Sequence, residues 1–269
     1  MLPRMWMGKS YQYGLQRRMQ LISNNVANAM TPGYKSKHID MESCFPPDFE
    51  RLLKAYETPG DRHYKWEQKT VFPEYMATQR IAQIWRKFTP GTIEITNKPL
   101  DLAIENGKGM FQFRMADGEN AYGRAGNLKI DAEGYMVDPN GHPLEPAVRI
   151  PAMSRDLVIN EQGEVFVKIG EDTHPRQIGQ VVLTYFPHAE ELNEVGQNLY
   201  KKTPLAGEPS FMNPGQENVG VIRQGALEFS NVDLIDSMFD MLLCQRSFEV
   251  SVGTLDEIEA LIKFAGEFK

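Results

Sequence analysis

Cysteine is scarce in this 269-residue chain, which has two, Cys44 and Cys244. They lie far apart and in no metal-ligand spacing, so the pair allows either two buried free thiols or one bridge tying the ends together. Long apolar runs are absent as well. Nothing approaches the ~18 residues that a helix needs to cross a bilayer. The first ten residues lack the apolar stretch and cleavage site of a secretory signal, so any export is expected to use another route. Chemistry-bearing clusters are missing too: the five histidines, His38, His63, His142, His174 and His188, are scattered, whereas a zinc site needs gathered ligands. There is no HExxH, no phosphate loop and no nucleophile elbow. Asn106-Gly107-Lys108-Gly109 reads as a hairpin turn, and Glu190-Glu191 has no spacing that compels acid–base chemistry. The chain is therefore not read as an enzyme, and no cofactor, metal or small-molecule substrate is expected.

Acidic residues are absent from residues 1–37, which carry Arg4, Lys9, Arg17, Arg18, Lys35 and Lys37. Residues 225–269 reverse this, with nine acidic groups against Arg246, Lys263 and Lys269. The net charge of −7 argues against nucleic acid as a partner of the whole chain. Opposite charge at the two ends instead steers one end toward the other. Exposed ion pairs add only about 0–1 kcal/mol each, so charge selects the partner and apolar contact holds it.

What the ends do possess is helical periodicity. Tyr11, Leu15, Met19, Ile22, Val26 and Ala29 advance by steps of four and three, and Leu234, Met241, Phe248, Leu255 and Ile262 recur at every seventh position. The first helix is expected to stop at Thr31-Pro32-Gly33, because proline disfavours a helical residue before it and glycine supplies the turn. Ser230 and Asp233 read as a capping box for the last helix, with Gly253 marking a bend or a close helix contact. Between the ends, short alternating runs such as Met110-Phe111-Gln112-Phe113, bounded by Asn-Gly and Asp-Gly turns, predict antiparallel hairpins. The expectation is an α+β chain: an N-terminal helix and exit turn (1–44), an extended arm or connection (45–90) with a short helical candidate near Phe49–Tyr56, a β-rich domain (91–224), and a C-terminal helix (225–269). The terminal helices are expected to pair like a coiled coil.

Residues 22–35, ISNNVANAMTPGYK, resemble the N-terminal signature of the axial rod and hook proteins of the bacterial flagellum. Residues 97–104, 109–113 and 122–131 resemble that family's consecutive strands and turns. Residues 225–234 and the run Gln245-Arg246-Ser247-Phe248-Glu249 resemble its closing motifs, and the segment before the β-domain is most like the distal-rod type. The resemblance implies an exported structural subunit of the basal body, outside the cytoplasmic membrane, that polymerises helically into a tubular shaft for motility. Its implied partners are copies of itself, neighbouring rod and hook proteins and, transiently, the flagellar export apparatus. The expected polymerisation interface comprises Leu15, Met19, Ile22, Asn24, Asn25, Val26, Asn28, Leu234, Met241, Gln245, Arg246, Phe248, Leu255 and Ile262. Thr31, Pro32, Gly33 and Tyr34 form the family turn, and the asparagines are expected to bridge helices through their amides. A proximal-rod or hook-type subunit is the alternative within the family, and an extracellular adhesive module built on the β-domain the alternative of another class.

Overall fold

A computed structural model describes residues 2–44, 78–170, 174–216 and 218–267. The helical candidate near Phe49 and most aromatics of the expected arm lie outside the described residues. Helix α1 spans Leu2–Ala27 and helix α2 spans Leu234–Glu267. Among the described residues, the strand pairs of the β-rich body between them run antiparallel. The architecture is α+β, with a β-rich body between two terminal helices. The chain divides into two compact units, one of Met1–Asn24, Lys37–Ile84 and Ile235–Lys269, the other of Asn25–Ser36 and Trp85–Leu234.

In the first unit, Lys37–Cys44 pairs with the strand Thr78–Arg86. The latter falls within the segment expected to be a connection. Helix α1 ends at Ala27, four residues before the expected Thr31. The chain then tightens into i→i+3 turns, with the amides of Asn28, Ala29 and Thr31 donating to Asn25, Val26 and Asn28. These bonds satisfy carbonyls that the end of a helix otherwise leaves without partners.

The second unit holds the core. Its largest cluster gathers Leu102, Ile104, Phe111, Phe113, Leu144 and Ile222 among others, all essentially inaccessible to solvent. Each such side chain contributes about 1.5–3 kcal/mol on burial. The run at Phe111 predicts one apolar face, yet the four-stranded sheet of Phe111–Arg114, Asn120–Gly123, Leu199–Lys201 and Asn193–Gly196 buries both. Phe111, Phe113, Ala121 and Leu199 enter the main cluster, while Tyr122 and Tyr200 enter a second one with Met110 and Phe186. Successive side chains point to opposite faces of a strand, so adjacent apolar residues such as Ala121 and Tyr122 serve two cores.

The hairpin reading holds for Phe111–Arg114 with Asn120–Gly123 and for Ser154–Ile159 with Glu164–Ile169. It fails at Asn106–Gly109. Leu102–Glu105 does not pair with the next strand but with Val221–Gln224, over a hundred residues later. A Cβ at Gly107 would fall 2.1 Å from the Val219 carbonyl, so this glycine permits a close approach of two chains and does not merely shape a turn.

Candidate assembly interface

The seam residues of the two helices separate into two groups. On α1, Leu15 and Ile22 are buried, and Met19 and Val26 half-buried. On α2, Met241, Gln245, Phe248 and Leu255 are half-buried. Leu234, however, is exposed, and the side chain of Ile262 lies outside the described residues. One sheltered stripe of α2 runs through Ser237, Met241, Cys244, Phe248, Ser251 and Leu255. Their steps of four and three pass through Cys244 and Ser251, two small residues that a search for apolar side chains overlooks.

Cys244 is a free, buried thiol whose Sγ donates to the Leu15 carbonyl at 3.3 Å. Burial pushes its pKa up, which keeps it protonated and suited to donating. The side chain of Cys44 lies outside the described residues. Opposite charge does meet between the helices, at Arg18 and Asp240, 3.8 Å apart and both half in solvent. Arg246 is exposed and pairs along its own helix with Glu249 at 2.8 Å.

The opposite face of α2 is apolar and open. Ile235, Met238, Phe239, Leu242, Leu243 and Val250 are each more than half exposed. Gly253 follows them, and a Cβ there would meet nothing within 4 Å among the described residues.

Two of the three asparagines of the N-terminal motif serve its exit turn. Asn25 is buried and accepts from the Tyr34 hydroxyl at 3.0 Å, and Asn28 accepts from the Thr31 hydroxyl at 3.2 Å. Asn24 is exposed and has a partner of its own. Gly33 has φ +68° and a Cβ there would lie 2.3 Å from the Ala125 nitrogen, so the family turn has no room for a side chain. Pro32 contributes its carbonyl, which accepts from Asn198 at 3.5 Å. Burial raises the Tyr34 hydroxyl to about 12, with Glu194 adding to the shift.

At this turn lies a cluster that no spacing in the sequence announces. Lys35 Nζ meets Glu228 Oε1 at 2.5 Å, and Arg124 Nε donates to Glu228 Oε2 at 2.8 Å, with Lys35 and Glu228 fully buried and Arg124 nearly so. Lys35 also donates to the Thr89 carbonyl, Gly91 N to Glu228 Oε1, and Arg124 Nη1 to the carbonyls of Gly107 and Gly109. Burial would raise the Glu228 carboxyl, but Arg124 and Lys35 outweigh it and hold it below its ordinary value. Burial and the like charge of Arg124 bring Lys35 down to about 8 despite its carboxylate partner. Each residue sits inside a motif quoted above, but their meeting is tertiary.

The capping box expected at Ser230 is not formed as read. Ser230 Oγ accepts from Val232 N at 3.2 Å, four residues before the helix begins at Leu234, and Asp233 takes the capping position. Asn231 instead stitches three segments together. Its Oδ1 accepts from Ser36 N at 2.8 Å, and its Nδ2 donates to the carbonyls of Lys87 and Thr89 at 2.7 and 3.2 Å. Residues 33–36, 87–91 and 228–231 are thereby joined beside the points where Trp85–Leu234 connects to the rest of the chain.

A β-rich body flanked by long terminal helices, with an apolar helix face left open and an ion cluster tying its connections, is the build of a structural axial protein. Three family models match the chain: the flagella basal body rod protein over residues 14–35, the flagellar hook protein FlgE/F/G D1 domain over 103–167, and the flagellar basal body rod FlgEFG protein C-terminal region over 223–263. The chain is 31% identical over 267 residues to the flagellar basal-body rod protein FlgG of Buchnera aphidicola subsp. Baizongia pistaciae, covering 98% of each. It is 30% identical over 274 residues to that of Borreliella burgdorferi, covering 100% of this chain and 99% of the other. It is also 30% identical over 275 residues to that of Bacillus subtilis, covering 96% and 97%. The chain belongs to the flagellar basal-body rod protein family, whose members are structural subunits of the basal body and not enzymes.

Proposed function

We propose that this rod subunit polymerises through its terminal helices into the distal part of a tubular shaft, outside the cytoplasmic membrane, after passage through the flagellar export apparatus. In this reading α1 and α2 pair like a coiled coil within the subunit, through Leu15, Met19, Ile22 and Val26 on one side and Met241, Cys244, Phe248 and Leu255 on the other. The open face of α2 packs on a neighbouring copy. That face carries the proposal: six large apolar side chains on one helix are more than half exposed, and each gains about 1.5–3 kcal/mol if a neighbour covers it. A contact between unlike faces, repeated without closing, builds an open helical filament. Copies of the chain are the main partner, and neighbouring rod and hook proteins take its place at the ends of the segment.

The test is sedimentation and electron microscopy of the full chain carrying Phe239→Asp with Leu242→Asp. The wild type should form concentration-dependent polymers and the variant should stay monomeric with its β-body melting unchanged. Wild-type polymerisation by the variant would overturn the assignment of this face.

A further inference from the structure

The backbone passes between the two units four times, at residues 24–25, 36–37, 84–85 and 234–235. Within the β-rich unit the roots of these crossings are tied to one another. Asn231, three residues before the last crossing, holds two of the others. Its Oδ1 accepts from Ser36 N at 2.8 Å, and its Nδ2 donates to the Lys87 and Thr89 carbonyls and to the Thr89 hydroxyl at 2.7, 3.2 and 3.0 Å. Lys87 N donates to the Ser36 carbonyl at 3.0 Å, so those two roots also meet directly. The remaining root is Asn25, which accepts from the Tyr34 hydroxyl, two residues from Ser36. Asn25 and Ser36 are the first and last residues of their segment in this unit, so the ties stand at the boundary itself.

We infer that Asn231 is a positioning residue for assembly, gathering the four roots into one collar that moves as a body. The inference rests on the polymerisation reading. Each residue of a lone connection turns about two soft dihedrals, whereas four roots bound together must turn at once. A helical polymer repeats one geometry from copy to copy, so scatter at this joint would accumulate along it. The residue type suits the task. A carboxamide carries an acceptor and two donors on one planar end, and it reaches backbone atoms at Ser36, Lys87 and Thr89 whatever their side chains. Aspartate would keep the bond from Ser36 but turn an oxygen on the two carbonyls.

The test compares the full-length wild type with Asn231→Ala, Asn231→Asp and a control, Asn160→Ala. Asn160 bonds Glu164 through both ends of its amide, away from the crossings. Hydrogen exchange of the monomers reads the collar. The deciding signal is the Lys87 amide, whose own bond to Ser36 neither Asn231 substitution touches. It should exchange about tenfold faster in both Asn231 variants, the equivalent of one lost hydrogen bond, and at the wild-type rate in the control. An unchanged rate would overturn the collar, and a wild-type rate in Asn231→Asp would overturn the role of the amide donors. By electron microscopy, wild type and control should form straight polymers where the Asn231 variants do not. Straight polymers from Asn231→Ala would refute the positioning role while leaving polymerisation through α2 intact. A wild type that never polymerises would remove both.

Discussion

Lys35 and Glu228 lie 193 residues apart in sequence and meet at 2.5 Å with both side chains shut off from water. One follows the turn after the first helix and the other precedes the segment that leads to the last. Their contact joins the two connections of the β-rich unit at one place.

Glu228→Gln should lower stability by about 3–5 kcal/mol, because it leaves Lys35 and Arg124 buried without their counter-charge. Chemical denaturation at neutral pH measures this. Glu228 also shapes the acid limb. Its carboxyl titrates below its ordinary 4.5 in the folded chain, so its contribution is full above pH 4.5 and is lost as pH falls through the lower folded value. The variant should show a flatter acid limb between those points, and an unchanged slope would contradict the ion cluster.

Tyr34→Phe tests the exit turn at the other end of the scale. It removes the hydrogen bond to Asn25 and should cost about 1 kcal/mol at neutral pH. The folded tyrosine holds its proton to about 12, while the unfolded one gives it up near 10. Wild-type stability therefore falls as pH rises between these values. Comparing denaturation of the two chains from pH 9 to 12 should show the difference shrinking. Burial raises Tyr200 as well, so the variant keeps part of the alkaline loss.

Gly253→Ala should stabilise α2 by about 1 kcal/mol, since alanine is the better helix former and a Cβ there meets nothing within 4 Å among the described residues. Thermal melting of the monomer checks the sign. A variant that melts higher but assembles poorly would locate a neighbouring copy against this glycine.

Phe248→Asp places a charge on the sheltered side of α2. Loss of assembly is expected while the β-rich unit stays folded, as read by electron microscopy and by circular dichroism of the same sample. Phe248 faces inward, so the loss would come from failed pairing of the helices; at Phe239 or Leu242 it would come from a spoiled outer face.

The helical ends, the antiparallel character of the middle and the turn at Thr31-Pro32-Gly33 were legible because each depends on neighbours close in sequence. Apolar residues spaced by three and four show a helix whatever it packs against. The seam of α2 was only half legible. Cys244 and Ser251 complete it, but their small side chains carry no apolar signal, and Leu234 continues the count of seven while standing in solvent. The cap was misread because Ser230 and Asn231 have local and distant uses that compete. Asn231 accepts from the Ser36 amide and donates to the carbonyls of Lys87 and Thr89, partners remote in sequence.

By itself, then, the sequence determined the kinds of element, their order and the family, since propensity, periodicity and motif all act along the chain. Tertiary structure alone decided which strands pair across a hundred residues, which face of α2 is left open, and that Lys35, Arg124 and Glu228 share one buried site. Those outcomes depend on distance in space, and a charge on an isolated segment carries no sign of the partner that burial will bring to it.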